Sequence, residues 1–284
     1  MLPVLARLGP FTFYTYTVLI DLGLLAALAV LYWRAPAGRG PRWLDAGLSA
    51  IVGGFIGARL LFIIVNGDFY FPHIDEVLQV WRGGLAWPGA VAGALFGLWF
   101  YTARRREALP PLVDALALPV GLLGLLGWGG CLAAGCAYGV EVAPGQLPAF
   151  LTTTAPDLFG LSVPRFAAQT VGLAWSVLAL ALLWAIARGP GRRPALVLLG
   201  WRAGAQGALA LSLVAAGLFG LSFARGEPTL FISGLRIETV GSGLVLAGAL
   251  LAWLLTVLRP APPAAPALDP IPSGGEATDA PANP

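Results

Sequence analysis

The segment from Gly127 to Gly139 reads GWGGCLAAGCAYG and forms the end of a long apolar run. It contains five glycines, two cysteines and one tyrosine, so backbone can approach backbone or a ligand closely. Inside a bilayer, such a segment persists only where protein or water satisfies its polar groups. The segment therefore predicts either a binding site or a tight helix crossing.

The composition around this segment is that of a membrane protein. Of 284 residues, 58% are hydrophobic and only 11% are charged, which excludes an ordinary soluble fold. We predict an all-α, polytopic membrane protein with seven transmembrane helices. The seven apolar runs are Phe11 to Trp33, Trp43 to Val65, Leu85 to Ala103, Leu112 to Ala134, Phe166 to Ile186, Ala195 to Phe223 and Thr239 to Leu258.

All seventeen basic residues are arginine, and many of them lie in alternate loops between the predicted spans. The positive-inside rule places these loops in the cytoplasm, with the N-terminus outside and the C-terminus cytoplasmic. Because the arginines are divided among short loops, the net charge of +3 gives no reason to expect a nucleic-acid partner. The three loops contain Arg34, Arg39 and Arg42; Arg104, Arg105 and Arg106; and Arg188, Arg192 and Arg193.

The chain divides into a membrane domain, residues 1–258, and a tail, residues 259–284. The tail is rich in Pro and Ala and is predicted to be a disordered cytoplasmic segment. No convincing cleavage site follows the first apolar run, so we expect that span to be retained. The spacing of Cys131 and Cys136 fits neither a zinc site nor a redox pair. We interpret them as small packing residues and expect neither a metal nor a cofactor.

Ionisable residues inside the predicted spans are candidates for function, since each costs about 2.5 to 3.5 kcal/mol at a helix centre. Arg59 follows a face of small residues that includes Gly53 and Gly57. We expect Arg59 to point into the bundle rather than into lipid. A buried hydrogen bond and a pairing with an intramembrane arginine explain Asp21 equally well. Asp114 is a counter-ion, an interfacial group or a helix cap.

Two further segments place arginine beside glycine at the end of a predicted span. Guanidinium and backbone amide groups together suit recognition of an anionic lipid headgroup. Each segment alone is also explained as a glycine turn with interfacial Trp and Arg anchors. The segments are WRGGLAWPGAVAGA, from Trp81 to Ala94, and SFARGEPTLFISGLRIETVGS, from Ser222 to Ser242.

Taken in order, the segments resemble the prolipoprotein diacylglyceryl transferase family. The resemblance implies seven spans with the N-terminus outside, in the cytoplasmic (inner) membrane of a bacterium. The Gly127 segment is similar to the branch of that family that reads GCFLAGCCYG. The other matching segments are FYTYTVLIDLG from Phe13, GGFIGARLLF from Gly53, WRGGLAWPGAVAGA from Trp81, DALALPVG from Asp114, VPRFAAQ from Val163, and FARGEP from Phe223 followed by Ser242.

The resemblance implies a reaction of lipoprotein biosynthesis. Family members transfer the diacylglyceryl group of phosphatidylglycerol to the lipobox cysteine thiol of a prolipoprotein and release glycerol phosphate. The implied partners are phosphatidylglycerol, membrane lipid and prolipoprotein signal peptides. Such chemistry needs a cavity open to lipid, arginines that neutralise the phosphate, and a group that accepts the thiol proton.

The candidate site residues combine matches to the family with nearby charges. We expect Arg59, Arg225 and Glu238 to be catalytic, with Glu238 as a base; His73 is a second possible base, although its simpler interpretation is an exposed loop residue. We also expect the arginines to converge on one cavity. The expected substrate-binding residues are Gly83, Gly84, Tyr138, Gly139, Arg236, Arg165, Tyr16 and Ser242.

The chain departs from the family pattern mainly at charged positions. Two alternatives therefore stay open: a non-catalytic lipid-binding relative, and a small transporter that uses Arg59 and Asp21. A transporter is expected to show internal repeats, and we find no convincing one. The departures are Trp128 and Leu218 in place of arginines, Pro88 and Val163 in place of histidines, and Ser222 and Gln169 in place of acidic residues.

Overall fold

The computed structural model describes residues 2–9, 11–154, 156, 160–187 and 202–258. Within these ranges, nine α-helices and three short antiparallel strand pairs are present. The helices are α1 (Thr15–Arg34), α2 (Gly40–Val65), α3 (Gly67–Tyr70), α4 (Trp87–Arg105), α5 (Leu109–Ala115), α6 (Ala117–Ala134), α7 (Ala168–Ala187), α8 (Ala205–Ser222) and α9 (Ile237–Leu258). The strand pairs are β1 (Val4–Leu8) with β2 (Phe11–Tyr14), β3 (Thr152–Thr153) with β4 (Arg165–Phe166), and β5 (Phe231–Ile232) with β6 (Leu235–Arg236).

Six of the described helices are long and apolar enough to cross a membrane, namely α1, α2, α6, α7, α8 and α9. The predicted third span corresponds to α4, which has 19 residues and is not among these six. At 1.5 Å per residue, α4 is about 28 Å long. Several predictions fall outside the described residues: the loop with Arg188, Arg192 and Arg193, residues 195–201 of the sixth predicted span, and the tail from residue 259.

The N-terminal end of the first predicted span is a hairpin rather than a helix. Strands β1 and β2 pair antiparallel, and Gly9 adopts a left-handed backbone with φ 61° in the connection between them. Helix α1 begins only at Thr15, so the prediction of a helix from Phe11 is wrong. Alternation of aromatic residues with threonine, as in FTFYT, is typical of a strand and outweighs apolar character here.

Helices α2 and α4 pack backbone against backbone through glycines. A Cβ atom added at Gly57 would lie 2.4 Å from the carbonyl oxygen of Gly89, and one added at Gly93 would lie 2.1 Å from that of Gly53. Any larger side chain would force the two helices apart. The predicted close-packing face of α2 is therefore confirmed. Arg59 on the same helix is buried, with 6% of its surface exposed, as predicted.

The other spans pack around α6 and α8. Helix α1 crosses α6 where Tyr16 meets Gly130 and where Leu123 meets Gly23. Helix α8 is the most enclosed span, with 56% of its apolar stretch buried, because α5, α6, α7 and α9 contact it. The alternating helix directions bring the ends of α2, α6 and α8 together with the starts of α1, α4, α7 and α9. We call this face of the bundle the site end.

The two aspartates of the predicted spans have different surroundings. Asp114 accepts hydrogen bonds from the backbone N–H groups of Gly204, at 2.7 Å, and Gly207, at 3.1 Å. These groups belong to the start of α8, where N–H groups lack intrahelical partners and favour a negative charge. The capping interpretation of Asp114 therefore holds, although the capped helix is α8. Asp21 is exposed at the bundle surface, so a buried hydrogen bond does not explain it.

We expect Gly57→Ala to destabilise the bundle, because its new Cβ would meet a backbone oxygen that moves only if α2 and α4 separate. Overpacking of this kind costs roughly 1 to 3 kcal/mol. The measurement is the midpoint of thermal unfolding in detergent. Gly248→Ala on α9 is the matched control, since a Cβ there meets nothing within 4 Å. Equal midpoints for the two variants would contradict the backbone contact between α2 and α4.

Candidate functional site

The Gly127–Gly139 segment ends helix α6 and then folds back over its last turn. Gly135 closes the helix with a left-handed backbone, φ 80°, and donates a hydrogen bond of 2.8 Å to the carbonyl oxygen of Cys131. A disulfide joins Cys131 to Cys136, whose Cα atoms are 4.6 Å apart. The interpretation of these cysteines as separate packing residues is wrong, because the glycine cap reverses the chain and brings them together.

Tyr138 and Gly139 form a short extended segment directly after this turn. Backbone hydrogen bonds pair the segment with residues 224–226 on one side, where Gly139 forms an antiparallel bridge with Arg225. On the other side, a Cβ atom added at Gly139 would lie 2.2 Å from the carbonyl oxygen of Phe166. The segment therefore accepts only glycine at this position, and it aligns the chain that carries Arg225.

Arg225 and Glu227 form an ion pair beside this segment. One carboxylate oxygen of Glu227 accepts hydrogen bonds from the Arg225 guanidinium, with Nε at 3.2 Å. The other oxygen accepts a hydrogen bond from the backbone N–H of Ala137. The Arg225 side chain is 20% exposed and the Glu227 side chain 13%. A single carboxylate thus connects the guanidinium that follows α8 to the turn that follows α6.

Arg236 and Glu238 add a second arginine–carboxylate pair where α9 begins. The Arg236 guanidinium donates to the carbonyl oxygens of Arg225, at 3.0 Å, and Glu227, at 2.9 Å. Glu238 lies 3.7 Å from Nε of Arg236 and accepts a 2.6 Å hydrogen bond from the Thr229 hydroxyl. These contacts join both pairs into one unit. We call Arg225, Glu227, Arg236 and Glu238 the Arg225 centre.

Two more of the predicted site residues border the Arg225 centre. Arg165 is 5% exposed, pairs with Glu141 at 3.2 Å, and places its guanidinium 4.8 Å from the centroid of the Tyr138 ring. Tyr16 on α1 lies close enough to Arg225 for an electrostatic interaction with its guanidinium. The structure therefore gathers cationic and phenolic groups from α1, from the turn after α6 and from the segment before α7.

Arg59 occupies a separate position at the site end. Its guanidinium donates to four backbone carbonyl oxygens in the connection before α4: Val77 and Glu76, both at 2.9 Å, Gly83 at 2.8 Å and Gly84 at 3.1 Å. Arg59 thus meets the predicted glycine pair through carbonyl groups. Across the described ranges, no hydrogen bond or ion pair joins it to the Arg225 centre, so the three arginines do not share one hydrogen-bond network.

Helix α9 lies between the two arginine positions. Ser242, one of the predicted site residues, is buried in this helix with 1% exposed. A Cβ atom added at Gly241 would lie 2.7 Å from Pro88 at the start of α4. The Thr239 hydroxyl donates a 2.8 Å hydrogen bond to the Ser222 hydroxyl at the end of α8. Helix α9 therefore contacts both the helix that follows the Arg59 loop and the helix that precedes Arg225.

Trp128 and Leu218, two of the predicted departures, share one apolar cluster. Trp128 is 6% exposed, and a Cβ atom added at Gly172 would lie 2.2 Å from its indole ring. Leu218 packs against the same cluster from α8. Beside it, Gln169 is 2% exposed and donates a 2.8 Å hydrogen bond to the carbonyl oxygen of Cys136. This part of the bundle is therefore apolar, and the charges lie beyond it at the site end.

Sequence reasoning missed Glu227, which is central to this geometry. The only signal for it is its position two residues after Arg225, within FARGEP. Spacing alone does not reveal its second contact, with Ala137, which lies 90 residues away in the chain. The disulfide was missed for a similar reason, since its formation depends on the left-handed cap at Gly135.

The fold and site define an integral membrane protein whose helical bundle gathers partly buried arginine–carboxylate pairs at one end. The family is then identified by comparison along the chain. A model of the prolipoprotein diacylglyceryl transferase family matches residues 3–255, and the chain belongs to that family.

Similar proteins cover most of the chain. It is 29% identical over 267 residues to phosphatidylglycerol–prolipoprotein diacylglyceryl transferase 2 of Streptomyces coelicolor, covering 89% of this chain and 78% of the relative. It is 28% identical over 275 residues to phosphatidylglycerol–prolipoprotein diacylglyceryl transferase of Symbiobacterium thermophilum, covering 91% of this chain and 94% of the relative. It is 30% identical over 270 residues to the one from Mycobacterium leprae, covering 88% and 78%.

We expect Arg59→Lys to loosen the connection before α4, because one ammonium group cannot reproduce the planar fork that binds four carbonyl oxygens. The measurement is amide hydrogen exchange across residues 74–86, which should become faster while exchange in α6 and α8 is unchanged. The matched control is Arg7→Lys, which changes an exposed arginine of β1. Unchanged exchange in residues 74–86 would show that Arg59 does not hold this segment.

Proposed function

We propose that this protein transfers the diacylglyceryl group of phosphatidylglycerol to the lipobox cysteine thiol of prolipoproteins. The observation that carries the proposal is the Arg225 centre, whose two arginines are largely buried at one end of an apolar helical bundle. The family match over residues 3–255 and the names of the relatives support the same reaction.

The reaction forms one bond and breaks one. The thiolate sulfur of the prolipoprotein cysteine attacks the glycerol carbon that carries the phosphate. A carbon–sulfur bond forms, the carbon–oxygen bond to the phosphate breaks, and glycerol phosphate leaves with the electron pair. The thiol proton must pass to a base before or during the attack. The protein therefore needs a cation beside the leaving phosphate and an acceptor beside the thiol.

Arg225 is suited to the phosphate. Its described hydrogen bonds use Nε and Nη2, which leaves Nη1 for a phosphate oxygen, and its side chain is partly exposed. Arg236 fixes the backbone on either side of Glu227 by binding two carbonyl oxygens. Arginine binds phosphate more strongly in such a low-dielectric setting than in water. We assign the phosphate contact to Arg225, with Arg165 and Tyr16 at its border.

Glu238 is suited to accept the thiol proton. Its Oε1 atom accepts a hydrogen bond from Thr229, and its Oε2 atom, 3.7 Å from Nε of Arg236, is buried and accepts no hydrogen bond in the described part of the chain. The other possible base, His73, is exposed, binds the carbonyl oxygen of Phe69 at 2.8 Å and stacks on the Phe69 ring. We therefore assign the role of general base to Glu238.

We further propose that α4 is a seventh span and that the site end is extracytoplasmic in the inner membrane of a bacterium. Arg39, at the N-cap of α2, and Arg42, in its first turn, both pair with Glu107, which follows α4, at 3.2 and 3.5 Å. Helix α4 therefore runs from the site end to the arginine-rich end, as a span does. The arginine-rich end suits the cytoplasm, and the disulfide suits the oxidising side.

The apolar cluster with Trp128 and Leu218 favours a second candidate, a non-catalytic relative that binds the same lipid. Arginines at these two positions would place positive charge between α6, α7 and α8, whereas this chain buries indole and leucine there. Binding of phosphatidylglycerol without transfer would support this candidate. Transfer by the protein would exclude it.

We expect Arg225→Ala to lower the rate of transfer by about 100-fold or more, the scale seen when one group that stabilises a developing negative charge is removed. The assay uses purified protein in phosphatidylglycerol liposomes with a lipobox peptide, and the mass of the peptide reports transfer. Arg7→Ala, at an exposed arginine of β1, is the control and should match the unaltered protein. A rate unchanged by Arg225→Ala would refute the assignment of the phosphate contact.

Removal of the proposed base should act on turnover rather than on lipid affinity. We expect Glu238→Gln to lower kcat by about 100-fold or more, as removal of a general base does, with a smaller change in KM for phosphatidylglycerol. Glu141→Gln is the control, because Glu141 is an exposed carboxylate that also pairs with an arginine. If both variants keep the kcat of the unaltered protein, another group takes the thiol proton.

A further inference from the structure

The disulfide lies at the start of a continuous series of contacts that ends on Arg225. Cys136 is followed directly by Ala137, whose backbone N–H binds one oxygen of Glu227. The other oxygen of Glu227 binds the Arg225 guanidinium. Each step joins neighbouring atoms, so the position of the turn after α6 determines where Glu227 holds the guanidinium.

The turn has a backbone that needs support. Gly135 and Ala137 both have positive φ angles, 80° and 54°, and this left-handed conformation is unfavourable for alanine. The disulfide encloses Gly135 and ends at the residue directly before Ala137, and Gln169 donates a hydrogen bond to the Cys136 carbonyl oxygen at the same point. Loss of the disulfide removes the covalent constraint that keeps the Ala137 N–H group directed at Glu227.

We propose that the Cys131–Cys136 disulfide and Glu227 together position Arg225, so that oxidation of the cysteine pair sets the affinity of the Arg225 centre for the phosphate of an anionic glycerophospholipid. This inference rests on the proposed function for its phosphate ligand. It assigns no chemical step to the cysteines, which act through Glu227 on the residue that contacts the lipid.

We expect the bundle to keep its packing without the disulfide. The cap of α6 keeps its own hydrogen bonds, since the N–H groups of Gly135 and Cys136 both donate to the carbonyl oxygen of Cys131. One turn earlier, Trp128 anchors α6 in the apolar cluster against α7. Reduction should therefore release the turn beyond Gly135 and leave the helix packing in place.

Reduction of the pair is an ordinary thiol–disulfide exchange. A dithiol reductant attacks one sulfur, forms a mixed disulfide and then closes to a cyclic disulfide, leaving Cys131 and Cys136 as thiols. Two electrons and two protons pass from the reductant to the protein. The chain contains only these two cysteines, so alkylation followed by mass measurement counts the product directly, from zero labels to two.

The first test compares oxidised and reduced full-length protein in phosphatidylglycerol liposomes. We expect reduction to raise KM for phosphatidylglycerol by roughly tenfold, the effect of losing one hydrogen bond to a charged group, with a smaller change in kcat. Cys131→Ser combined with Cys136→Ser should show the raised KM without reductant and should not respond to it. If alkylation adds two labels, so that reduction is complete, and KM for phosphatidylglycerol is unchanged, the proposal is overturned.

The second test asks whether the effect passes through Glu227. We expect Glu227→Ala to raise KM for phosphatidylglycerol, because the Arg225 guanidinium has lost its carboxylate. Reduction of the disulfide in this variant should then raise KM little further. If the disulfide has only a structural role, reduction and Glu227→Ala should each raise KM independently, so that the two factors multiply. This result would overturn the proposal. Glu227→Gln, which keeps an oxygen for the Ala137 N–H group, is the second variant. Thermal unfolding midpoints identify any variant that has lost its fold.

The test also separates this inference from the proposed function. If the oxidised protein shows no transfer, the proposed function fails, and the same comparison is made by lipid binding. Native mass spectrometry then measures phosphatidylglycerol retained against phosphatidylcholine by the oxidised and reduced protein. Preferential loss of phosphatidylglycerol on reduction supports the positioning role. Equal retention in both states overturns it.

Discussion

A guanidinium group inside an apolar bundle is stable only if its charge and its hydrogen-bond donors are satisfied, and this constraint shapes the whole site end. Two solutions occur here. Arg59 is surrounded by backbone carbonyl oxygens of its own connecting loop, so a charged group orders an irregular segment. Arg225 is paired with Glu227 from the segment between α8 and α9, and Arg236 is paired with Glu238 from the first turn of α9. The hydrogen bonds described for Arg59 all stabilise its loop, whereas those described for Arg225 leave Nη1 for a ligand.

Glycine makes these arrangements possible because it removes side-chain volume where two backbones must meet. The contact of α2 with α4 fixes the position of Arg59 along the bundle, since the two helices meet through their backbones at Gly53 and Gly57. Gly139 has the same role beside the Arg225 centre, where its segment lies between the backbone at Arg225 and the backbone at Phe166. A tight helix crossing and a binding site were the two interpretations of the Gly127 segment. The structure contains a crossing at Gly130 and, a few residues later, the edge of the candidate site.

Several features could be predicted from the sequence because they depend on local pattern or on a strong energetic rule. The apolar runs predicted the long helices, and the cost of a charge in lipid predicted that Arg59 is buried. The N-terminal hairpin was missed because its aromatic residues count as apolar in a search for spans, although their alternation with threonine favours a strand. The Asp114 carboxylate was assigned a capping role, but its partner helix, 90 residues further along the chain, was not predictable.

The sequence by itself determined that this is a helical membrane protein of the diacylglyceryl transferase family, because composition, apolar length and ordered glycine–arginine segments are properties of the chain before it folds. Only the tertiary structure decided how the arginine–carboxylate pairs meet the rest of the bundle. The contact of Ala137 with Glu227 joins residues far apart in sequence and depends on backbone angles at single positions. The left-handed cap at Gly135 is the clearest case, since it brings two cysteines into a disulfide that their spacing alone did not indicate.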